Sequence, residues 1–405
     1  MQKKILQGKT VVLGITGSIA AYKMANAASM LVKLGAEVHV IMTKNATNFI
    51  HPITFETLTA RKCLVDTFDR DFEFDVKHIS LAKKADVFLI APASANVIGK
   101  LANGIADDML TTTVMAAGCP VILAPAMNTN MYENRIVQDN LAKLKQYGMQ
   151  VIQPGAGRLA CGDVGAGKLP PEETLVDHVL REIAKEKDLA GKRILITAGA
   201  TRESIDPVRY ITNHSTGKMG YAIARMAMLR GAKVTLISGA AAVAPPPFVE
   251  VEQTASAQDM FEAVKRCAGD MDIVIMAAAV ADYTPLQTAE NKIKKKDGDL
   301  VIPLKRTQDI LAYLGEHRRE GQALCGFSME TEHVVENSRA KLQKKQVDMI
   351  AANSLREEGA GFGTDTNHLI LITKEQELDL PMMSKEEAAD ELLTRLKELS
   401  EAARQ

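Results

Sequence analysis

The stretch Thr10-Val11-Val12-Leu13-Gly14-Ile15-Thr16-Gly17-Ser18 decides the fold class of this 405-residue chain. Its apolar first part is typical of a strand that is buried on both faces. Small residues then lead into a helical pattern over residues 19–34, which Gly35 ends, and residues 38–42 predict the next strand. Strands that alternate with helices of this length form parallel sheets with right-handed crossovers. We therefore expect an α/β fold.

The same pattern recurs along the chain and begins again in its second half. Further apolar runs that predict strands are residues 86–90, 121–123, 193–196, 234–237 and 272–276. A charged segment, Lys185-Glu186-Lys187-Asp188, separates the two halves. The sequence thus predicts two Rossmann-like, doubly wound parallel-sheet domains, residues 1–187 and 188–405. An amphipathic helix over residues 384–405 is expected to cover the second sheet.

Composition excludes several classes of protein. Lys plus Arg number 49 against 50 Asp plus Glu, a formal net charge of -1, which argues against a protein that coats nucleic acid. No apolar run approaches the roughly 20 residues that span a bilayer, and the start of the chain breaks too early for a signal peptide. The five cysteines form no CxxC pair, which suits a reducing compartment. We expect a cytoplasmic protein that binds neither nucleic acid nor membrane.

Two turns rich in small residues follow predicted strands. The turn Gly14-Ile15-Thr16-Gly17-Ser18 joins a strand to a helix, so its backbone N–H groups either bind an anion or form a tight turn with no ligand. It is neither a Walker A loop nor a complete G-x-G-x-x-G. The segment Ser215-Thr216-Gly217-Lys218-Met219-Gly220 resembles the end of a P-loop, but Thr212 stands where the earlier glycine is needed. A turn that starts a helix is the preferred interpretation, with anion binding by its amides second.

The segment of residues 154–168 holds five glycines in fifteen residues. This composition predicts a mobile flap without regular structure. Cys161 lies at its centre and is either an inert thiol or an acid or nucleophile. His78 is either a structural histidine or a functional one. Asn128 follows a predicted strand, where its amide either binds a carboxylate or amide of a ligand or caps the turn.

Charged residues of the second half suggest a phosphate ligand. Arg209, in the polar loop Asp206-Pro207-Val208-Arg209-Tyr210, is a candidate to clamp a phosphate or carboxylate. The run Lys292-Ile293-Lys294-Lys295-Lys296 is either solvated or part of a site with Asp282, which ends a predicted strand. Further charges that would join such a site are Asp309, Lys341 and Lys345. Several lysines with carboxylates suit a Mg²⁺-bound triphosphate.

These segments together resemble the bacterial bifunctional flavoproteins of coenzyme A biosynthesis, in which phosphopantothenoylcysteine decarboxylase is fused to phosphopantothenate–cysteine ligase. The resemblance covers nearly the whole chain. The short motifs of the first half are Gly17-Ser18-Ile19-Ala20, Pro92-Ala93-Ser94-Ala95-Asn96, Pro125-Ala126-Met127-Asn128 and Cys161-Gly162-Asp163. The motifs of the second half are the long block from Asp206 to Gly220, which is highly specific, then Ala278-Ala279-Val280-Ala281-Asp282-Tyr283 and Lys292-Ile293-Lys294-Lys295.

For the second half, the resemblance implies a ligase that joins 4'-phosphopantothenate to L-cysteine. The pantothenate carboxylate would attack the α-phosphate of CTP, and the cysteine amine would displace CMP from the acyl-cytidylate. Lys292 would steady charge on the triphosphate, while Asn213 and Arg209 would handle the acyl-cytidylate and substrate. Asp282 would bind Mg²⁺. The positions implied for CTP are Met276, Ala277, Ala278, Asp282, Lys292, Gln308 (Pro in the family pattern), Asp309, Ile310, Leu311, Phe327, Lys341 and Lys345.

For the first half, the resemblance implies a flavodoxin-like decarboxylase domain with bound FMN. FMN would oxidise the cysteine thiol of the new amide to a thioaldehyde, the electron sink for loss of CO2. Cys161 would then protonate the enethiolate as reduced FMN returns the hydride, giving 4'-phosphopantetheine. His78 would assist the early step, and Asn128 would hold the substrate's carboxylate or amide. The positions implied for FMN are Gly17, Ser18, Thr43, Ser94 and Met127.

The resemblance also implies a homo-oligomer, with trimers formed by the first domain and dimers by the second. A dodecamer satisfies both symmetries. Two other functions are weighed against the bifunctional enzyme. One is a decarboxylase whose second domain only binds a nucleotide for regulation, against which Asn213, Lys292 and Asp282 speak. The other is a non-catalytic binding protein, against which the absence of Trp and the aromatic content of 4% count.

Overall fold

The computed structural model describes residues 4–68, 77–158, 162–295, 299–330, 332–354, 361 and 363–402. The chain divides into two compact units, Met1–Lys185 and Glu186–Gln405. Within the described part, no helix is both long enough and apolar enough to cross a membrane.

The first unit alternates strands with helices. Its strands are β1 (Thr10–Ile15), β2 (Glu37–Met42), β3 (Val87–Ala93), β4 (Val121–Pro125), β5 (Gln150–Val151), β6 (Gly155–Arg158) and β7 (Val164–Lys168). Its α-helices are α1 (Met24–Lys33), α2 (Pro52–Thr59), α3 (Lys77–Lys84), α4 (Ala95–Ala102), α5 (Met109–Met115), α6 (Thr129–Glu133), α7 (Arg135–Gln146) and α8 (Glu172–Ile183). Short 3-10 helices cover Ile19–Lys23 and Ala46–Asn48.

Five parallel strands form the main sheet of this unit in the order β2-β1-β3-β4-β5. This is the flavodoxin-like order, which confirms the fold class predicted for the first half. Every residue of β1 is buried, as its apolar run requires. The predicted helix over residues 19–34 is divided into a 3-10 turn and α1. Ser18 caps that turn by accepting from the backbone N–H of Ala20, and such tight turns are common where helices begin.

The prediction of a flap without regular structure over residues 154–168 is wrong for its described part. Strands β6 and β7 pair antiparallel as a hairpin. Glycine allows the hairpin backbone to approach the loop after β4: a Cβ on Gly167 would lie 2.3 Å from the carbonyl oxygen of Met127. Glycine therefore serves close backbone contact here rather than irregular structure.

The second unit has more strands. They are β8 (Arg193–Ala198), β9 (Arg202–Ser204), β10 (Tyr210–Thr212), β11 (Lys233–Ser238), β12 (Glu250–Gln253), β13 (Ile273–Met276), β14 (Tyr283–Pro285), β15 (Leu304–Arg306), β16 (Ala323–Glu330), β17 (Met349–Ser354), β18 (Thr366–Asn367), β19 (Ile370–Thr373), β20 (Glu377–Asp379) and β21 (Met383–Ser384). The helices are α9 (Lys218–Leu229), α10 (Ala257–Ala268), α11 (Ile310–His317), α12 (Val334–Lys345) and α13 (Lys385–Ala402).

The large sheet of this unit has the order β12-β11-β8-β13-β16-β17-β19-β20. The first six strands are parallel and wind outward from β8 and β13, which confirms the doubly wound prediction. Strands β19 and β20 add an antiparallel edge that the sequence did not predict. Helix α13 buries Leu392, Leu393 and Leu396 and packs on α9 and β16, as expected of a covering helix.

Candidate active sites

In the first unit, the candidate cofactor residues lie where the winding direction of the sheet reverses, between β1 and β3. Thr16, which follows β1, joins the ends of these strands. Its hydroxyl donates to the carbonyl oxygen of Pro92 at 2.6 Å and accepts from the N–H of Ser94 at 2.9 Å. Ligands of open α/β sheets bind at this kind of crevice. The structure therefore brings the Gly17–Ser18 turn and Ser94 to one edge.

Three hydroxyls at this edge have hydrogens to donate. The buried Oγ1 of Thr43, after β2, has no hydrogen-bond partner among the described residues. The oxygens of Ser18 and Ser94 accept from the N–H groups of Ala20 and Val97, and within the described ranges neither hydroxyl has an acceptor for its own hydrogen. Buried hydroxyls normally find partners, so this edge is suited to a ligand that accepts hydrogen bonds, such as a phosphate.

Gly17 keeps the turn after β1 close to the loop after β2. A Cβ at this position would lie 2.7 Å from the Cβ of Asn45, a distance that side chains do not adopt. Any larger residue would push the turn away from Thr43. The small residue that the sequence singled out is thus required by packing, and it leaves backbone N–H groups at the crevice.

The candidate catalytic residues of the first unit lie on separate elements. Asn128 accepts from the N–H of Asn130 at 2.9 Å, which caps the turn into α6, and its Nδ2 donates to Oδ2 of Asp163 at 2.6 Å. The N–H of Met127 donates to the carbonyl oxygen of Gly167. Both bonds join the loop after β4 to the hairpin. Cys161, between β6 and β7, lies outside the described residues.

His78 is half-buried in the first turn of α3. Helix α3 ends shortly before β3 begins, at the amino edge of the sheet. Because a crossover helix runs antiparallel to the strands, the first turn of α3 lies toward the carboxyl edge, where Thr43 and Ser94 are. His78 therefore lies at the end of α3 that is nearer the carboxyl edge of the sheet.

In the second unit, two threonines hold the loop that follows β13. The hydroxyl of Thr197 accepts from the N–H of Ala278 at 3.2 Å, and that of Thr201 accepts from the N–H of Ala281 at 3.0 Å. The strands involved, β8 and β13, again flank the point where the winding reverses. Met276 is buried, so contact of this strand end with a ligand falls mainly to backbone groups of the loop.

Several predicted nucleotide residues come together beside this loop. The carbonyl oxygen of Asp282 accepts from the N–H of Thr307, which connects it to the segment of Gln308 and Asp309. Lys345 forms an ion pair with Asp309, and Lys341 donates to the carbonyl oxygen of Phe327 at 2.8 Å.

The electrostatics of this cluster are those of a crowded, partly desolvated site. Burial lowers the pKa of Lys341; the carboxylates of Glu330, Asp309 and Asp282 oppose this effect, and the charge of Lys345 adds to it. Burial tends to raise the pKa of Asp309, but hydrogen bonds from Lys345 and from the N–H of Ala312 bring it below its usual value. Lys345 is already paired with the carboxylate of Asp309, and an anionic ligand would compete with that carboxylate.

Gln308, Ile310 and Leu311, three neighbouring candidates for nucleotide binding, differ in how far they are buried. Ile310 and Leu311 are buried in the core at the start of α11, and Leu311 packs closely against Gly326. Side-chain contact with a nucleotide is therefore not available to them, whereas their backbone N–H groups lie at a helix N-terminus. Gln308 is exposed and lines a cavity of about 650 Å³ with, among others, Arg202.

Arg209 is engaged within the protein. Its Nε and Nη2 donate to Oδ2 of Asp206 at 3.0 and 2.6 Å, and Nη2 also donates to the carbonyl oxygen of Ile293 at 2.9 Å. Lys292, the residue before Ile293, is exposed. Asn213 donates to the carbonyl oxygens of Ala279 and Val280 at 3.2 and 3.4 Å. The structure thus joins Arg209 to the lysine segment, and Asn213 to the loop that carries Asp282.

Sequence reasoning missed the residues that hold these loops. Thr16, Thr197, Thr201 and Asp163 were given no role, because their partners are distant in sequence. Asp206 was quoted only as part of a motif, although an aspartate directly before proline is typical of a turn that its own carboxylate closes. Among the described residues, no three His, Cys, Asp or Glu side chains form a metal site.

The fold and these sites define a two-unit α/β flavoprotein. Residues 2–184 match the family described as Flavoprotein, and residues 189–399 match the family described as DNA/pantothenate metabolism flavoprotein C-terminal domain. Curated relatives are named Coenzyme A biosynthesis bifunctional protein CoaBC. The protein of this name from Bacillus subtilis (strain 168) is 47% identical over 98% of this chain and 98% of its own length. The one from Vibrio vulnificus (strain YJ016) is 44% identical over 97% and 98%.

The chain belongs to the family of coenzyme A biosynthesis bifunctional proteins, and the resemblance read from its motifs is confirmed. A solved crystal structure of the C-terminal domain of such a protein is 44% identical and covers 54% of this chain and 100% of its own, with a TM-score of 0.47.

Proposed function

We propose that the chain carries out two consecutive steps of coenzyme A biosynthesis. The second unit joins 4'-phosphopantothenate to L-cysteine at the expense of CTP, through an acyl-cytidylate. The first unit decarboxylates the resulting phosphopantothenoylcysteine to 4'-phosphopantetheine with FMN as its cofactor. The observation that carries the proposal is that the Gly17–Ser18 turn and Ser94 in the first unit, and the loop that leads to Asp282 in the second, lie beside the reversal point of the sheet. Family membership supports both activities.

In the second unit, the charge cluster supports nucleotidyl transfer. Lys341, Lys345 and Lys292 supply positive charge where a triphosphate develops negative charge during attack on its α-phosphate. Asn213, which follows β10 and donates to the loop before Asp282, is assigned to hold the acyl-cytidylate. We assign Asp282 to Mg²⁺, because Mg²⁺ usually keeps several waters and takes only one or two carboxylates plus phosphate oxygens. The choice of CTP over other nucleotides rests on the family pattern.

In the first unit, the turn of Gly17 and the hydroxyls of Ser18 and Thr43 would hold the phosphate end of FMN, and Ser94 would lie near its ring. When bound, FMN supplies the oxidation of the substrate thiol that makes loss of CO2 possible. Asn128 is assigned to hold the substrate through its amide, in a geometry that Asp163 fixes. His78 is assigned to assist the early step, and Cys161 to donate the final proton to the substrate carbon.

The surroundings and assembly of the chain form part of the proposal. A cytoplasmic location fits a chain with four free cysteines among its described residues. Exposed large apolar side chains include Ile19, Tyr22, Phe49 and Ile53 in the first unit and Tyr283, Leu286 and Leu304 in the second. Such exposed apolar side chains fit self-association, with trimers through the first unit and dimers through the second. Light scattering after gel filtration tests this assembly.

Mass spectrometry of one reaction tests the proposed function. Purified protein, whose visible spectrum is recorded beforehand, receives 4'-phosphopantothenate, L-cysteine, CTP and Mg²⁺. We expect a flavin absorption band, and the products 4'-phosphopantetheine and CMP. Accumulation of phosphopantothenoylcysteine would support the ligase activity and contradict the decarboxylase activity. Absence of any product would favour a non-catalytic binding protein.

A further inference from the structure

The carboxylate of Asp206 is the most fully satisfied charge in the turn between β9 and β10. Its side chain is completely buried. Oδ1 accepts from the N–H groups of Val208 and Arg209, both at 2.8 Å. Oδ2 accepts from the side chain of Arg209 and, at 3.1 Å, from the N–H of Ile293. A buried carboxylate with this many donors is held rigidly, because charge-assisted hydrogen bonds are short and strong.

The ion pair of Asp206 and Arg209 also contacts both backbone polar groups of Ile293, which lies 87 residues after Asp206 in sequence. Asp206 accepts from its N–H, and Arg209 donates to its carbonyl oxygen at 2.9 Å. Two bonds upstream support this contact: the N–H of Ala289 donates to the carbonyl oxygen of Ile205, and the hydroxyl of Thr288 donates to that of Ser204. The start of the lysine segment is therefore fixed to the turn.

Lys292 lies directly before Ile293. Its side chain is exposed and makes no hydrogen bond or ion pair of its own with the described residues. The position of its Cα thus depends on the bonds that neighbouring backbone groups make, and among these the bonds of Ile293 are the nearest. A lysine that must reach a triphosphate from an exposed segment needs a fixed backbone, since misplacement by about 1 Å can cost about 100-fold in rate.

We propose that Asp206 is a positioning residue for ligation: by holding Ile293, directly and through Arg209, it sets the place from which Lys292 reaches the triphosphate. This role rests on the proposed ligase function. It also gives Arg209 a structural task in addition to the handling of substrate.

The test compares Asp206→Asn with the wild-type chain by two readouts. Hydrogen exchange followed by mass spectrometry is expected to show faster exchange in the peptide around residues 288–295, with the core strands unchanged. The kcat of ligation, measured as phosphopantothenoylcysteine formed, is expected to fall about 10- to 100-fold, with a smaller change in the KM for CTP.

The matched control is Asp348→Asn. Asp348 also pairs with an arginine, Arg318, and accepts a backbone N–H, that of Leu324, but it lies at the amino end of β17, away from the candidate site. Removing its charge is expected to leave the ligation rate unchanged. An equal fall in ligation rate in both variants would mean that Asp206 acts only through stability, and would overturn the proposal.

A second variant tests the contact without altering the buried pair. Ile293→Pro removes the backbone N–H that donates to Asp206, whereas Ile293→Ala keeps this N–H. We expect Ile293→Pro to lose ligation to a similar extent as Asp206→Asn, and Ile293→Ala to keep it. An unchanged kcat in both Asp206→Asn and Ile293→Pro, beside an active wild type, would overturn the positioning role alone. A wild type that forms no phosphopantothenoylcysteine would overturn the proposed function.

Discussion

The candidate sites of the two units lie at equivalent places in their sheets but are made of different groups. In the first unit, neutral hydroxyls face the crevice, and that of Thr43 is buried without a partner among the described residues. In the second, charged groups are paired with one another, as Lys345 is with Asp309 and Arg209 with Asp206. A buried hydroxyl without a partner costs stability that a ligand restores. A preformed ion pair instead fixes geometry, and a ligand must compete with it.

The difference indicates two modes of binding. The first unit is suited to a cofactor that stays bound, because its donors gain partners only when the cofactor is present. The second is suited to substrates that come and go, because part of its charge, the Lys345–Asp309 and Arg209–Asp206 pairs, stays paired between turnovers.

The largest effect is expected from substitution of Cys161, which would impair the reaction of the first unit and leave that of the second unchanged. If Cys161 donates the final proton, Cys161→Ser still releases CO2 but forms 4'-phosphopantetheine about 100- to 10,000-fold more slowly, and an oxidised, unsaturated product accumulates. Mass spectrometry of the products measures this. Cys119→Ser, at a half-buried free cysteine, is the control. A normal yield of the reduced product from Cys161→Ser would remove Cys161 from the mechanism.

Two threonines of the first unit allow a hydroxyl assigned to ligand binding to be compared with a hydroxyl that stabilises the fold. Thr43→Val is expected to weaken FMN binding about tenfold without lowering the melting temperature of the cofactor-free protein, because no protein partner is lost. Thr16→Val leaves the carbonyl oxygen of Pro92 and the N–H of Ser94 without a partner and is expected to cost about 1–3 kcal/mol of stability.

Flavin fluorescence titration and thermal melting measure the two effects. Destabilisation by Thr43→Val comparable to that of Thr16→Val would show that the hydroxyl of Thr43 serves the fold, and would contradict its assignment to the cofactor.

The smallest effect is expected in the pH dependence of the second unit. The side chain of Arg209 and backbone N–H groups hold the pKa of Asp206 well below its usual value. A carboxylate with a lowered pKa contributes stability above its unfolded pKa of about 4, and this contribution is lost as the pH falls through the folded pKa. We therefore expect the melting temperature of this unit to fall progressively below about pH 4.

Asp206→Asn is the matching variant, since it cannot titrate. Its melting temperature is expected to be lower at neutral pH and to change less below about pH 4. Parallel melting curves of the variant and the wild type across this range would show that Asp206 does not carry the acid sensitivity.

The extent to which the sequence predicts this structure follows from how far apart the interacting residues are. Strand β1 was predicted because its apolar residues are contiguous. The hairpin of β6 and β7 was not, because glycine content gives no indication of which backbone a strand will approach. The antiparallel edge strands β19 and β20 have no local signal that separates them from parallel ones.

The candidate sites were also predictable only where the interacting residues are close in sequence. The family motifs pointed to Gly17, Ser94 and Asp282, each of which follows a predicted strand. The role of Asp206 was not predictable, because its partner Ile293 is 87 residues away and is bound through backbone groups that no side-chain pattern reveals. Thr197 and Thr201 were missed for the same reason.

The central claim, that the two units hold separate and sequential activities, is tested most directly with Lys292→Ala and two alternative starting materials. Given 4'-phosphopantothenate, L-cysteine, CTP and Mg²⁺, this variant is expected to form product about 100- to 1,000-fold more slowly than the wild type, because a cation at the triphosphate is lost. Given phosphopantothenoylcysteine, it is expected to form 4'-phosphopantetheine at the wild-type rate, and Lys294→Ala is expected to retain both reactions. Unchanged product formation from the first mixture would contradict the account, because the second unit would then not ligate through Lys292. Loss of both reactions would also contradict it, because the two activities would then not be separate.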